Sequence, residues 1–255
     1  MLFDTHAHYY DDRFSDDRDE LLSSMKSGGV GYILNPGCDA ETTEQSIALA
    51  EKYDFIYAAA GIHPGHIGRY GNDELDKIKR LAAHEKVMAI GEIGLDYHYE
   101  NAPRTLQREA FARQIALADE MQLPIIIHCR DATGDCLDIL KSEYKGGGAV
   151  MHCFGGSVET VKILLNMMGF MIAFGGTLTF KNNVRAVEAV RYIPIENILT
   201  ETDSPYLAPM PYRGKRNNSL YMVEVARKIA EIKGITLEQA TEITCENALR
   251  FFKII

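Results

Sequence analysis

No stretch of this 255-residue chain approaches the roughly 18 uninterrupted apolar residues that a membrane-spanning helix needs. The opening MLFDTHAHYYDDRF carries acids where a secretory leader would carry cations and an apolar run, so a cytoplasmic protein without membrane attachment is expected. Cysteine is scarce and unpatterned. Cys38, Cys129, Cys136, Cys153 and Cys245 form no CxxC pair, and five cannot all be paired within one chain, which argues against a disulfide framework. Positive charge is also short: 27 Lys and Arg stand against 36 Asp and Glu, for a formal charge of -9. A protein that coats nucleic acid by bulk electrostatics has the opposite sign. Any polyanionic substrate must be held locally, by a metal ion, a short basic loop or both. Two signatures are missing as well. No GxGxxG follows the first apolar run, because Gly28-Gly29-Val30-Gly31 precedes a run instead, and Gly175-Gly176-Thr177 lacks the GxSxG elbow of an acyl-enzyme hydrolase.

What is present is a globular composition, 46% hydrophobic and 25% charged, and an alternation of two kinds of segment. Eight short apolar runs, residues 2–5, 31–35, 55–61, 87–93, 125–128, 149–152, 170–174 and 198–202, carry little charge until their last positions, as strands buried on both faces should. Helical spacing lies between them. In 103–122 Leu106, Ala110, Phe111, Ile115 and Leu117/Ala118 recur at three and four, with Pro103 suited to the first turn and Pro124 just past the end. Weaker helical patterns cover 17–26, 41–53, 73–84, 131–144, 157–168, 183–192 and 220–233, and Gly28, Gly146 and Gly169 are placed to close three of them. Eight strand-helix alternations in about 250 residues predict a single α/β domain over 1–255, a (β/α)8 TIM barrel, with 237–252 as an additional C-terminal helix.

The chain has eight histidines, and His6, His8, His63, His128 and His152 fall at or just past the C-terminal ends of predicted strands, the catalytic face of such a barrel. For His66, His84 and His98 an ordinary loop role suffices. Glu92 and Asp203 end two further runs. His6 and His8 flank Ala7, so an extended backbone turns both imidazoles to one side, where they can share an ion. Glu92 lies between Gly91 and Gly94, which admit close backbone approach around a buried carboxylate, and such a carboxylate calls for a cation. Strand alternation would also put Glu201 and Asp203 on one face. Alternation turns Cys129 and Cys153 away from the neighbouring histidines, as small buried residues facing helices. Mixed nitrogen and oxygen donors suit divalent zinc, manganese or magnesium, and six positions exceed what one four-coordinate ion takes, so two ions are expected.

The motifs DTHAH at 4–8, GIHP at 61–64, GEIGLDY at 91–97, PIIIHCR at 124–130, MHCFGG at 151–156 and ETDSP at 201–205 resemble, in this order and over the whole chain, the TatD family of metal-dependent deoxyribonucleases. The resemblance implies a barrel of the amidohydrolase-like metallohydrolases. It implies one metal on His6, His8, Glu92 and Asp203 and a second on Glu92, His128 and His152, with Glu92 bridging. It further implies exonuclease activity on DNA with magnesium or manganese, zinc also being able to occupy such sites. One departure follows RGKRN at 213–217, where Asn218 and Ser219 stand in place of the family's acidic or polar residue and proline.

Two cations close together would activate a water and stabilise charge on a phosphodiester. In that chemistry Asp203 is placed as the general base, with Glu201 orienting the water or sharing the role. His63 would hold a phosphate oxygen or protonate the leaving group. Arg130, Lys215 and Arg216 are the local cations available to the phosphate backbone. The expected substrate is single-stranded DNA or a frayed end, and no obligate protein partner is inferred. The rival within enzymes is an ester or amide hydrolase on the same barrel, such as a D-aminoacyl-tRNA deacylase, because activated water attacks carbon and phosphorus alike.

Overall fold

The computed structural model describes residues 1–69, 71–99 and 102–254. Strands and helices alternate as β1 (Leu2–Asp4), α1 (Arg18–Ser24), β2 (Val30–Pro36), α2 (Ala40–Lys52), β3 (Ile56–Ala60), α3 (Asn72–Ala82), β4 (Val87–Asp96), α4 (Arg104–Met121), β5 (Ile125–Arg130), α5 (Thr133–Glu143), β6 (Ala149–Met151), α6 (Val158–Leu165), β7 (Phe170–Phe174), α7 (Val184–Tyr192), β8 (Ile198–Thr200), α8 (Met222–Lys233) and α9 (Leu237–Phe251). The strands form one sheet in chain order, β1 to β8. β8 returns to β1 through the Thr5 N–H to Thr200 carbonyl bond and an isolated parallel bridge between Ala7 and Ser204. This is the expected (β/α)8 barrel, closed by a further C-terminal helix. No helix among the described residues is long and apolar enough to cross a membrane.

The backbone divides into two compact units, 1–35 with 153–255, and 36–152. In the first, β1 pairs with β2 and β7 with β8, all parallel, and α9 packs on β1, β8 and α8. A reciprocal cap between Thr236 and Gln239 starts α9. Its buried Asn247 donates to the carbonyls of Ile195 and Ile198, satisfying the backbone that leads into β8. In the second unit β3, β4, β5 and β6 pair in parallel. Ile125, Ile126 and Ile127 of β5 are all buried, which explains why this strand reads as an unbroken apolar run. Burying each isoleucine contributes about 1.5–3 kcal/mol. Along α4 five of the six residues chosen by their spacing, Ala110, Phe111, Ile115, Leu117 and Ala118, line the buried face, and Leu106 is half-buried.

Boundaries differ where backbone detail overrides pattern. Pro103 caps α4 rather than opening it, and its fixed φ of -54° sits with an extended ψ of 137°. Gln122, not a glycine, takes the left-handed position that ends α4. After α1 the positive φ belongs to Gly29 (87°) instead of Gly28. At Gly28 an added Cβ would meet a terminal methyl of the half-buried Leu220, which would have to turn aside. Gly146 and Gly169 do adopt positive φ. Strands β6 and β8 stop at Met151 and Thr200, leaving His152, Glu201 and Asp203 on the segments that follow.

Candidate metal centre

In the first unit three ligand-type side chains converge. His6 and His8 are buried, and their Nε2 atoms lie 3.2 Å apart. Asp203 Oδ1 stands 3.4 Å from His8 Nε2 and 4.0 Å from His6 Nε2. Donors held around one tetrahedral ion at ordinary bond lengths lie about 3.4 Å apart, so this triplet has the spacing of a cation site. The Ala7 to Ser204 bridge keeps the backbone extended and turns both imidazoles to one side, as the HAH spacing predicts. His8 Nδ1 meets the Tyr10 hydroxyl at 3.0 Å, which leaves Nε2 facing His6 and Asp203.

A buried carboxylate that the sequence reading left without a role holds this arrangement in place. Asp4 accepts the Thr202 N–H (2.9 Å) and hydroxyl (2.6 Å), the Ser219 hydroxyl (2.6 Å) and the His6 N–H (3.3 Å). It thereby ties β1, the segment after β8 and the turn that leads into α8 to one another. Burial raises the Asp4 carboxyl to about 7, against the lowering effect of these hydrogen bonds. Ser219, where the sequence departs from the family pattern, is thus an anchor, and Asn217 and Asn218 beside it are buried too. The signal for Asp4 lay in its place at the end of β1, two residues before His6.

Asp203 does not share a strand face with Glu201, as alternation had suggested. β8 has ended, Asp203 adopts φ 58°, and Glu201 Oε1 instead accepts the Cys153 N–H at 2.5 Å. Cys153 itself has φ 46° beyond β6, so strand alternation does not set its direction either. Cys129 does face a helix: its thiol contacts Cys136 and Thr133 on α5. None of the five cysteines forms a disulfide.

In the second unit Glu92 is the hub. Its Oε1 lies 2.8 Å from His128 Nδ1 and 2.8 Å from His152 Nε2, and these two nitrogens are 3.3 Å apart. Gly61, Gly91 and Gly94 allow the strands to close around the carboxylate. A Cβ on Gly94 would come within 2.0 Å of the His128 carbonyl, and one on Gly91 within 2.7 Å of Ile126. His63 was expected nearby without an ion of its own. Its Nε2 is 3.9 Å from Glu92 Oε1, its ring lies 4.5 Å from that of His128, and it forms a compact ligand-type triplet with both. His63 Nδ1 accepts the Gly65 N–H at 2.9 Å, so the neutral ring carries its proton on Nε2, the nitrogen toward Glu92.

Asp96, two turns of alternation beyond Glu92 on β4, completes the cluster. Its Oδ2 meets His128 Nε2 at 3.0 Å, fixing which ring nitrogen is directed at Glu92. Burial works against the charge of Asp96, but His128 and the amides of Tyr99 and His98 hold its carboxyl down to about 2. Burial likewise lowers His128, yet Asp96 and Glu92 together raise it to about 9. β4 runs three residues past the strand expected from the sequence, which is why Asp96 escaped notice. Asp96→Asn keeps the shape and removes the charge that orients His128. Divalent-metal affinity, measured by equilibrium titration of the stripped protein, is expected to fall by about 10- to 100-fold with the fold intact. Unchanged affinity would show that the contact is merely structural.

The three candidate cations fare differently. Arg130 is exposed at the end of β5, its guanidinium 4.9 Å from the Tyr99 ring centre. Lys215 is exposed, 5.8 Å from the Tyr212 ring. Arg216 is already committed. It forks onto Asp17 at 2.8 and 2.5 Å, donates to the Arg13 carbonyl at 2.6 Å and covers the Phe14 ring, so its charge fastens the loop to the start of α1.

Comparison with known proteins agrees with this construction. A family model described as TatD related DNase matches residues 3–253. A relative in Bacillus subtilis, YabD, described as an uncharacterized metal-dependent hydrolase, is 48% identical over 255 residues and covers all of both chains. The 3'-5' ssDNA/RNA exonuclease TatD of Pectobacterium parmentieri is 32% identical, covering 99% of this chain and 100% of its own. Among solved structures, the TatD homologue YJJV of Escherichia coli superposes with a TM-score of 0.94 at 28% identity, covering 100% of this chain and 98% of its own. With its ligand-type histidines and carboxylates on these strand ends and the family match running through nearly every residue, the chain belongs to the TatD family of metal-dependent hydrolases.

Proposed function

We propose that this hydrolase cleaves phosphodiester bonds at the end of a single DNA strand. The observation that carries the reading is the pair of ligand clusters, His6-His8-Asp203 in one unit and Glu92-His128-His152 in the other, each built of imidazoles and a carboxylate, buried or half-buried, at metal-ligand spacing. The nitrogen and oxygen donors fit divalent cations, and we assign them two ions, magnesium or manganese in function with zinc also acceptable. Following the family resemblance, Glu92 would serve both ions. Bound there, the cations would lower the pKa of a water and stabilise charge on the phosphate oxygens. The exonuclease name of the Pectobacterium relative supports nucleic acid as substrate.

The protein's own groups then divide the work. Asp203 accepts the proton of the attacking water, and Glu201 helps to orient that water. His63, protonated at Nε2 by its Gly65 contact, donates to a phosphate oxygen or to the departing hydroxyl. Arg130 and Lys215, exposed and without a salt bridge among the described residues, draw in the strand. We treat the whole chain as one catalytic domain, acting in the cytoplasm, where reduced thiols are stable.

The test is to strip the metal, restore magnesium, manganese or zinc, and follow end-labelled linear single strands, blunt duplex, closed circular single strands and an aminoacyl ester. Metal-dependent trimming of linear strands, faster than of duplex and slowed by added salt, is expected. Equal cutting of circles removes the requirement for an end, and turnover of the ester alone would transfer the protein to acyl substrates.

A further inference from the structure

Tyr206 follows the triplet of the first unit by three residues, and its N–H donates to the Asp203 carbonyl at 2.8 Å. Its ring is built into a rigid surface. The Arg13 guanidinium lies over one face, 4.1 Å from the ring centre, and the Tyr206 hydroxyl donates to Asp11 Oδ2 at 3.4 Å. Asp11 in turn takes Arg13 Nε at 2.9 Å and Nη2 at 2.8 Å. The His8 imidazole stands edge-on, 6.4 Å away at 75°. Despite this company Tyr206 remains 45% exposed, and Leu207 and Met210 beside it are 40% and 42% exposed.

The segment that carries these residues is firmly seated. The Leu207 carbonyl lies over Gly176, where a Cβ would approach it to 2.0 Å. Asn217 N–H donates to the Pro205 carbonyl at 3.0 Å, and Met210 N–H to the Thr179 hydroxyl at 2.8 Å. Here the Tyr206 ring is held in place and left open, against a ligand-type histidine. Because Asp11 neutralises Arg13, the surface offers a π face and apolar edges rather than net charge. Phosphate is therefore not its partner. A flat heteroaromatic ring is.

We propose that Tyr206, backed by Arg13 and flanked by Leu207 and Met210, is a stacking platform for a nucleobase of the strand whose phosphodiester the neighbouring site receives. The assignment rests on the nucleic-acid reading above. It gives the acidic protein a way to hold a strand through its bases, with little dependence on sequence, since every base has a π face.

The test uses full-length protein in chelator, so that binding is read without turnover, by fluorescence anisotropy with labelled single strands. One strand is intact; its counterparts carry abasic residues at the 3' or the 5' end. Wild type is expected to bind the intact strand about 5- to 100-fold more tightly than one of the abasic strands. Tyr206→Ala should erase that difference, Tyr206→Phe should preserve it, and Arg13→Met should diminish it. If the abasic penalty keeps its full size in Tyr206→Ala, or is absent from wild type, the platform is refuted while strand binding stands. If wild type binds no strand and trims none once metal is restored, the nucleic-acid reading falls, and the platform with it.

Discussion

Glu92→Gln is expected to abolish turnover while leaving the barrel folded. Glutamine preserves the volume of the side chain among Gly61, Gly91 and Gly94, so the close strand approach is undisturbed. What it loses is the charge on an oxygen now 2.8 Å from both His128 and His152. A neutral amide is a poor ligand for a hard cation, and a group proposed to serve two ions should depress the occupancy of both. Elemental analysis of dialysed protein, set beside the thermal midpoint, separates the effects: the midpoint of the metal-free forms should stay close to wild type while metal content falls. Two ions per chain in the variant would refute the shared role of Glu92.

Asp203→Asn is expected to reduce turnover by at least the 10²- to 10⁴-fold typical of removing a general base. It also withdraws the only carboxylate from the His6-His8-Asp203 triplet, so metal content at that position should drop as well. Glu201→Gln should be milder. Glu201 already spends one oxygen on the Cys153 N–H, a contact that glutamine can retain through its carbonyl. Rates for the two variants at saturating metal decide the matter. If Glu201→Gln proves the more damaging, the base is Glu201, and Asp203 is left as a ligand.

The strands and helices were legible because each is short, regular and amphipathic or wholly apolar. Ile125, Ile126 and Ile127 mark a strand buried on both faces, and the residues of α4 recur at the helical period. The histidines could be read for a related reason: a polar residue at the end of an apolar run has one place to go in a parallel barrel. Relations between neighbours were legible only while the backbone stayed extended. HAH at 6–8 kept its alternation, whereas Glu201 and Asp203 lost theirs once β8 ended at Thr200 and Asp203 took a positive φ. Asp4 and Asp96 stayed hidden because they act through other residues, one by anchoring segments distant in sequence and one by orienting His128. Nothing in the local pattern around Arg216 announced Asp17, 199 residues away, as its partner.

The first unit is made from two segments far apart in sequence, 1–35 and 153–255, and that affects how the protein comes into being. As a growing chain leaves the ribosome, His6 and His8 emerge long before the residues that fix them, since the Asp4 contacts to Thr202 and Ser219 span 198 and 215 positions. Glu92, His128 and His152 are separated by steps of only 36 and 24. Closing a short loop costs less entropy than closing a long one, and the short loops are available earlier. A nascent chain therefore meets its second set of ligands before its first. A product cut short before β8 would still contain Glu92, His128 and His152 while lacking both Asp203 and the Thr202 and Ser219 partners of Asp4.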